Sequence, residues 1–276
     1  MKQYRRKRDN KSPSCKQFTS ENEAAQKPIA NDYDSRSLHE AARRDDTDQL
    51  CALLDRGADV NASEDGLTPL HSAAYAGASN VARVLLERGA DPNAVNPVDD
   101  NGWTRTPLIC ALETGLQSDG GLTVVRLLLQ AGADPNHADP LGDTPLILAA
   151  REGDVTALQM LVDAGANVNL VDDNWITPLI VAIVEGGTDS VRYLLQQGAD
   201  VNIRPRNGWR ALYYAVSTGS YEIVCLLTKA RADINATDKE GKSVLVFAQE
   251  LGNAAIIQHL QSAGANKSSI QDSNLD

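Results

Sequence analysis

The sequence predicts an all-α solenoid, a row of stacked helix-turn-helix units joined by projecting β-hairpin or finger loops. Three observations carry this reading. A leucine that opens each unit recurs at Leu70, Leu108, Leu146, Leu179, Leu212 and Leu245, separated by 38, 38, 33, 33 and 33 residues. A Gly-Ala-Asp/Asn turn recurs in register at Gly57, Gly89, Gly132, Gly165, Gly198 and Gly264, with Arg231 once in the Gly place. Within a unit, the apolar residues fall at helical spacing on two short segments.

The cleanest unit runs from Gly142 to Asn174. A polar turn leads into Thr144-Pro145, where proline suits a first helical turn because its missing N–H would be an orphan there. Leu146 to Ala150 make a short apolar helix that stops at Gly153. Val155, Leu158, Leu161 and Val162 line a second helix that ends at Gly165, the residue type that accepts the left-handed conformation past a helix end. Helices of about eight to ten residues fall below the ~12–15 at which isolated helices become marginal in water. Such a unit cannot bury its apolar face alone, so it must be stacked, and stability must come from neighbour-to-neighbour packing.

The opening motif stands as Thr68-Pro69-Leu70-His71-Ser72-Ala73-Ala74, then as Thr106-Pro107-Leu108, Thr144-Pro145-Leu146 and Thr177-Pro178-Leu179. With its 33-residue period, this pattern resembles the ankyrin repeat. The resemblance implies an ankyrin-repeat solenoid of seven repeats, at approximately 34–63, 64–95, 96–138, 139–171, 172–204, 205–237 and 238–266. It further implies that His39 and His71, after the opening leucine, are hydrogen-bonding structural residues. The Asn of each closing turn (Asn61, Asn93, Asn136, Asn169, Asn202, Asn235) is implied to stabilise its hairpin, and in some members of the family such Asn are hydroxylase substrates.

In chain order, residues 1–33 are polar and without apolar periodicity, and they read as a disordered basic tail. They hold eight Lys/Arg against four Asp/Glu, so of the net −11 the remainder carries −15. Tyr4-Arg5-Arg6-Lys7-Arg8 reads either as a solvated terminus or as a nuclear address or a nucleic-acid or membrane anchor. No apolar stretch follows it, so no secretory signal peptide is expected. Repeat 1 lacks Thr-Pro and carries Arg43-Arg44-Asp45-Asp46, as an N-terminal cap should. Repeat 7 has Ser243-Val244 instead of Thr-Pro and a polar second helix with Gln258, His259 and Gln261, as a C-terminal cap should. Residues 267–276 form a short polar tail. Two five-residue insertions lie in or beside repeat 3, at 95–105 and 114–123, and insertions in such arrays map to loops, often on the binding face.

Charged residues make up 23% and apolar residues 42%, the balance of an ordinary folded soluble protein. No apolar run approaches the ~20 residues of a membrane span. The four cysteines (Cys15, Cys51, Cys110, Cys225) are scattered, which points to reduced thiols and a reducing compartment. A cytoplasmic location is expected, or a nuclear one if the basic cluster is an address. No phosphate loop, zinc-protease motif, nucleophile elbow or EF-hand loop is present. The histidines, His137 and His259 included, have no nucleophile or ligand cluster beside them. The carboxylate pairs Asp99/Asp100 and Asp172/Asp173 read first as solvated finger tips, and second as cation gatherers. No enzyme activity, cofactor or metal is expected.

The candidate site residues lie where the repeat breaks its own rules. The only three tryptophans, Trp103, Trp175 and Trp209, all fall on the turn before a first helix. Trp175 takes a finger Gly place, Arg210-Ala211 replaces Thr-Pro and Arg231 replaces a helix-end Gly. Exposed tryptophans there read as binding anchors, or equally as rings packed between fingers. Earlier fingers look acidic (Glu64, Asp65, Asp99, Asp100, Asp143, Asp172, Asp173), whereas Arg204, Arg206 and Arg210 look basic. That arrangement is either solubilising charge or a two-signed groove that orients a partner. The expected function is a non-catalytic protein-interaction scaffold or adaptor, probed by Tyr75, Trp103, Arg105, Trp175, Ile176, Arg206, Trp209, Arg210 and Tyr213 on the concave finger and first-helix surface that the resemblance implies. The partner is a protein, with no small-molecule substrate and a monomeric chain expected. The alternatives are an inhibitor or assembly chaperone that masks an enzyme, and nucleic-acid binding through the tail. The −15 of the array weighs against the last, because duplex affinity is dominated by phosphate neutralisation.

Overall fold

A computed structural model describes residues 32–96, 104–113, 116 and 120–265. Fourteen helices lie in them, in seven antiparallel pairs: α1 (Asp32–Arg43) with α2 (Thr47–Asp55), α3 (Pro69–Ala76) with α4 (Ser79–Glu87), α5 (Pro107–Glu113) with α6 (Gly121–Gln130), α7 (Pro145–Glu152) with α8 (Val155–Asp163), α9 (Pro178–Val184) with α10 (Thr188–Gln196), α11 (Ala211–Ser217) with α12 (Tyr221–Lys229), and α13 (Val244–Leu251) with α14 (Ala254–Ser262). First helices stack on first helices, from α1 through α13, and second helices stack on second helices, from α2 through α14. The result is two helical layers, with the loops between repeats projecting as fingers.

Side-chain caps start many of these helices. Thr144 Oγ1 accepts the backbone N–H of Ile147 at 3.3 Å, and Thr177 Oγ1 that of Ile180 at 3.2 Å. Both satisfy a donor that the helix itself leaves orphaned. Ser243 does the same for Val246 in repeat 7, so the departure from Thr-Pro there keeps the cap. Second helices are capped by Asp46, Asp154, Ser220 and Asn253. In repeat 2 the capping residue Ala78 has no such side chain, and Asp45 of repeat 1 reaches across to supply one. Its carboxylate accepts from Val81 N at 2.8 Å and from Asn80 Nδ2 at 2.7 Å.

The core lies between the layers and runs unbroken through the repeats. The periodic leucines Leu70, Leu108, Leu146, Leu179, Leu212 and Leu245 are each at most 1% exposed. Full burial of such a side chain is worth roughly 1.5–3 kcal/mol, which the short helices need. The first helix begins at Asp32, inside the stretch that the sequence reads as tail, and Ser35 Oγ donates to the carbonyl of Ser63 on the next finger. At the far end Leu251, Ala254, Ala255, Gln258 and Gln261 are exposed, as on a terminal repeat.

Two periodic polar devices tie neighbours together. The closing-turn asparagines form a ladder: Asn93, Asn136, Asn169 and Asn202 each accept a backbone N–H of the next repeat at 2.8–2.9 Å. Each also donates through Nδ2 to the carbonyl of the next helix-end residue, at Gly132, Gly165, Gly198 and Arg231. His71 Nδ1 meets Thr68 Oγ1 at 2.8 Å while its Nε2 donates to the Arg105 carbonyl at 3.1 Å. His39 likewise joins Ser72 Oγ and the Ala62 carbonyl. The structural roles implied for these residues are thus the observed ones.

Candidate partner-binding surface

The fingers are built by side chains that close their own turns. Asp139, Asp172 and Asp238 each use one carboxylate oxygen to accept two backbone N–H groups, two and four residues on, at 2.7–3.0 Å. Asn96 Oδ1 likewise accepts from Arg105 N, and Asn207 Oδ1 from Trp209 N at 3.0 Å. These acids shape the loops more than they present charge. Asp143, which the sequence reads as a surface acid, is instead buried and pairs with Arg151 at 2.6 Å. Asp99 and Asp100 lie outside the described residues, as does Trp103.

Neighbouring tips touch. Asp173 N donates to the Leu141 carbonyl at 3.2 Å and Arg206 N to the Asn174 carbonyl at 3.0 Å. Gly142 and Gly208 show how close the contact is: a Cβ there would come within 2.7 Å of Asp173 N and 2.9 Å of Lys239 N, respectively. Trp175 occupies the same place in its finger. Its φ of 64° is a left-handed conformation that a Cβ makes costly, by about 1–2 kcal/mol. Trp175 is 53% exposed and Leu141, on the adjoining tip, is 51% exposed. Arg206 is exposed on the next finger, and Ile176 is half-buried against the core with its N–H held by Asp172.

Trp209 resolves the other way. Its ring stacks on Tyr213 at 5.6 Å, meets Tyr214 edge-on at 5.7 Å and packs against Phe247 at 5.1 Å. It is a packing residue of repeats 6 and 7. Tyr213, expected on the surface, is fully buried beneath it. Its hydroxyl donates to the Lys242 carbonyl and accepts from Asp238 N at 3.2 Å, and burial pushes its pKa up to about 12, so it stays neutral. Arg210 is committed to Asp233 at 2.7 Å. The basic finger therefore presents Arg204 and Arg206, both exposed, with Lys239 on the next tip.

A second feature opens between the first helices of repeats 2, 3 and 4. A cleft of about 320 Å³ is lined by Tyr75, Arg105, Leu112, Glu113, Leu148, Arg151 and Glu152. Tyr75 stands at its rim, 57% exposed, and Arg105 pairs with Glu113 at 2.8 Å. The sequence reading thus divides into two groups, Tyr75 with Arg105 at the cleft, and Trp175 with Ile176 and Arg206 on the fingers. It missed Leu141. The signal was present, since the place before the finger Gly holds Asp65, Asn174, Asn207 and Glu240 elsewhere.

The titratable groups do structural work. Burial lowers the pKa of His71 and of His39, keeping both neutral as hydrogen-bonding struts, and pushes the Cys110 thiol up to about 12. Among the described residues no group of three His, Cys, Asp or Glu gathers around a metal-sized site, and no helix is long and apolar enough to cross a membrane.

The comparisons agree with this geometry. A family model of ankyrin repeats (three copies) matches residues 8–96, 38–139, 94–172, 116–205, 146–238 and 204–271. The crystal structure of the human ASB11 ankyrin repeat domain is 27% identical, covers 84% of this chain and 99% of its own, and superposes with a TM-score of 0.69. No curated protein sequence matches the chain. Repeat period, capped helix pairs, asparagine ladder and family match together place this chain in the ankyrin-repeat family, whose repeats generally mediate protein–protein interaction.

Proposed function

We propose that this chain is a non-catalytic, cytoplasmic protein-interaction scaffold that binds its partner through the finger tips of repeats 4 to 6, with the first-helix edge in support. The observation that carries the reading is Trp175. A large aromatic ring is held exposed in a backbone conformation that favours glycine, so the folded array bears both a conformational cost and an exposed apolar surface. Strain and exposure at one residue are the mark of a functional site rather than of a stability device. Leu141 widens the apolar contact and Arg206 flanks it with a cation. Because the tips are fixed by contacts between fingers, recognition is rigid-body, through a surface already present in the free protein.

The test is affinity capture from the native host with wild type and Trp175→Ala in parallel. Proteins retained by wild type and lost with the variant are partners of this face. Identical capture by both would remove Trp175 as an anchor. Trp209→Ala serves as the contrast: its ring is packed, so it loses stability rather than a surface contact. An inhibitor or assembly role would show as a stoichiometric partner enzyme whose activity changes on binding.

A further inference from the structure

The cleft between repeats 2 and 4 has an ion-pair ledger that leaves one sign over. Along this edge of the first helices, Arg44 pairs with Glu40 at 2.6 Å, Arg43 with Glu40 and Glu64 at 3.5 and 3.6 Å, Arg105 with Glu113 at 2.8 Å and Arg151 with Asp143 at 2.6 Å. Glu152, at the cleft, and Glu185, in the corresponding place one repeat on, are exposed and have no ion-pair partner among the described residues. Beside them the cleft has the exposed ring of Tyr75, the buried Leu112 and Leu148 at its floor and the ion-paired Arg105 and Arg151, and next to Glu185 stands Val184 at 50% exposed. The Tyr75 ring, the exposed Val184 and carboxylates without an ion-pair partner suit a side chain with a long apolar stem and a cationic head.

This chain carries such side chains close by. Residues 1–33 are net positive in a chain that is otherwise −15, and the positive charge is densest at Arg5-Arg6-Lys7-Arg8. Helix α1 starts at Asp32, so 23 residues separate Arg8 from it. At ~3.3 Å per residue they can span up to ~75 Å. Packed helices lie ~8–10 Å apart, so the cleft is only about 20–30 Å along the array from α1.

We propose that the basic N-terminal segment of this chain docks intramolecularly in the cleft of repeats 2 to 4, with Arg or Lys stems against Tyr75 and Leu148 and the cationic heads at Glu152 and Glu185. The docking stands whether or not the fingers bind a partner. Where they do, and as a consequence that rests on the scaffold reading, a partner that reaches Tyr75 has to displace the segment.

The experiment places p-benzoylphenylalanine at position 75 of the full chain, irradiates it at low protein concentration and maps the adducts by mass spectrometry. Adducts within residues 1–16 of the same chain are expected. They should be lost when Arg5, Arg6, Lys7 and Arg8 are all changed to Glu, and at 1 M NaCl, where the screening length falls to about 3 Å. Glu152→Lys with Glu185→Lys should cut their yield about threefold or more, the effect of two surface ion pairs, with the circular dichroism spectrum unchanged. Adducts confined to the flanking repeats overturn the proposal, as does a yield indifferent to the charge reversals. Adducts between two copies that grow with concentration overturn the intramolecular form. None of these results bears on capture through Trp175, so the two readings fail separately.

Discussion

Trp175 allows stability and binding to be separated by two substitutions at one atom's difference. Trp175→Ala and Trp175→Gly both remove a ring that is 53% exposed, so both lose the same partial burial, roughly 2 kcal/mol at ~25 cal/mol per Å². They differ in the backbone. At φ 64°, alanine keeps the Cβ penalty of the left-handed region and glycine does not. At the equivalent place of the preceding finger, a Cβ on Gly142 would come within 2.7 Å of Asp173 N. Trp175→Gly should therefore be more stable than Trp175→Ala by about 1 kcal/mol, beyond glycine's greater entropy in the unfolded chain. Urea unfolding followed by far-ultraviolet circular dichroism measures the difference, provided the two variants share an m-value. Affinity for a captured partner should fall in both by about fivefold or more, since only the ring is the contact. Equal stability of the two variants would refute the conformational argument, and undiminished affinity in the glycine variant would refute the anchor.

Other outcomes follow from the same geometry. Gly142→Ala meets both a positive φ and the Asp173 backbone, and should cost about 2 kcal/mol or more by urea unfolding. Arg231→Gly removes a Cβ from φ 64° at a helix end and should stabilise the array by about 1 kcal/mol, read the same way. Asn136→Ala deletes the bonds to Asn167 N and the Gly165 carbonyl and should cost about 1–2 kcal/mol. Acidification should destabilise the fold through its histidines. His71 has a folded pKa below 6.5 because it is buried, so the unfolded chain takes up the proton first. Stability is then full above about pH 6.5, the unfolded value, and declines below it until the folded pKa is reached. His71→Gln should flatten that decline when melting is followed from pH 7 to 5.

The repeat architecture was legible because it rests on local rules that recur. A leucine returning every 33 or 38 residues, Thr-Pro before four of them and a glycine after the second helix are each readable from chain neighbours alone; the structure buries the leucines, caps helices with Thr144 and Thr177 and holds the glycines at positive φ. Contacts between repeats were less so. Asp45 caps a helix 36 residues away at Val81, a pairing that no local spacing announces. Finger chemistry sits between these cases. Leu141 departs from the polar residues of its place in other fingers, and so was visible in the sequence alone.

What the sequence determined by itself was the solenoid, its order and the residues that break its pattern, because short-range periodicity dictates helix, cap and stacking face. The fate of Trp175 and of Trp209 was a tertiary decision. Trp175 and Trp209 stand on equivalent turns, but one place apart relative to the finger Gly. In repeat 6 that single step turns the ring onto Tyr213, Tyr214 and Phe247, and the last of these belongs to a helix of the next repeat. In repeat 5 it leaves the ring exposed on a left-handed residue. Whether an aromatic ring is core or contact depends on which surfaces the next repeat brings to it, and only stacking sets those.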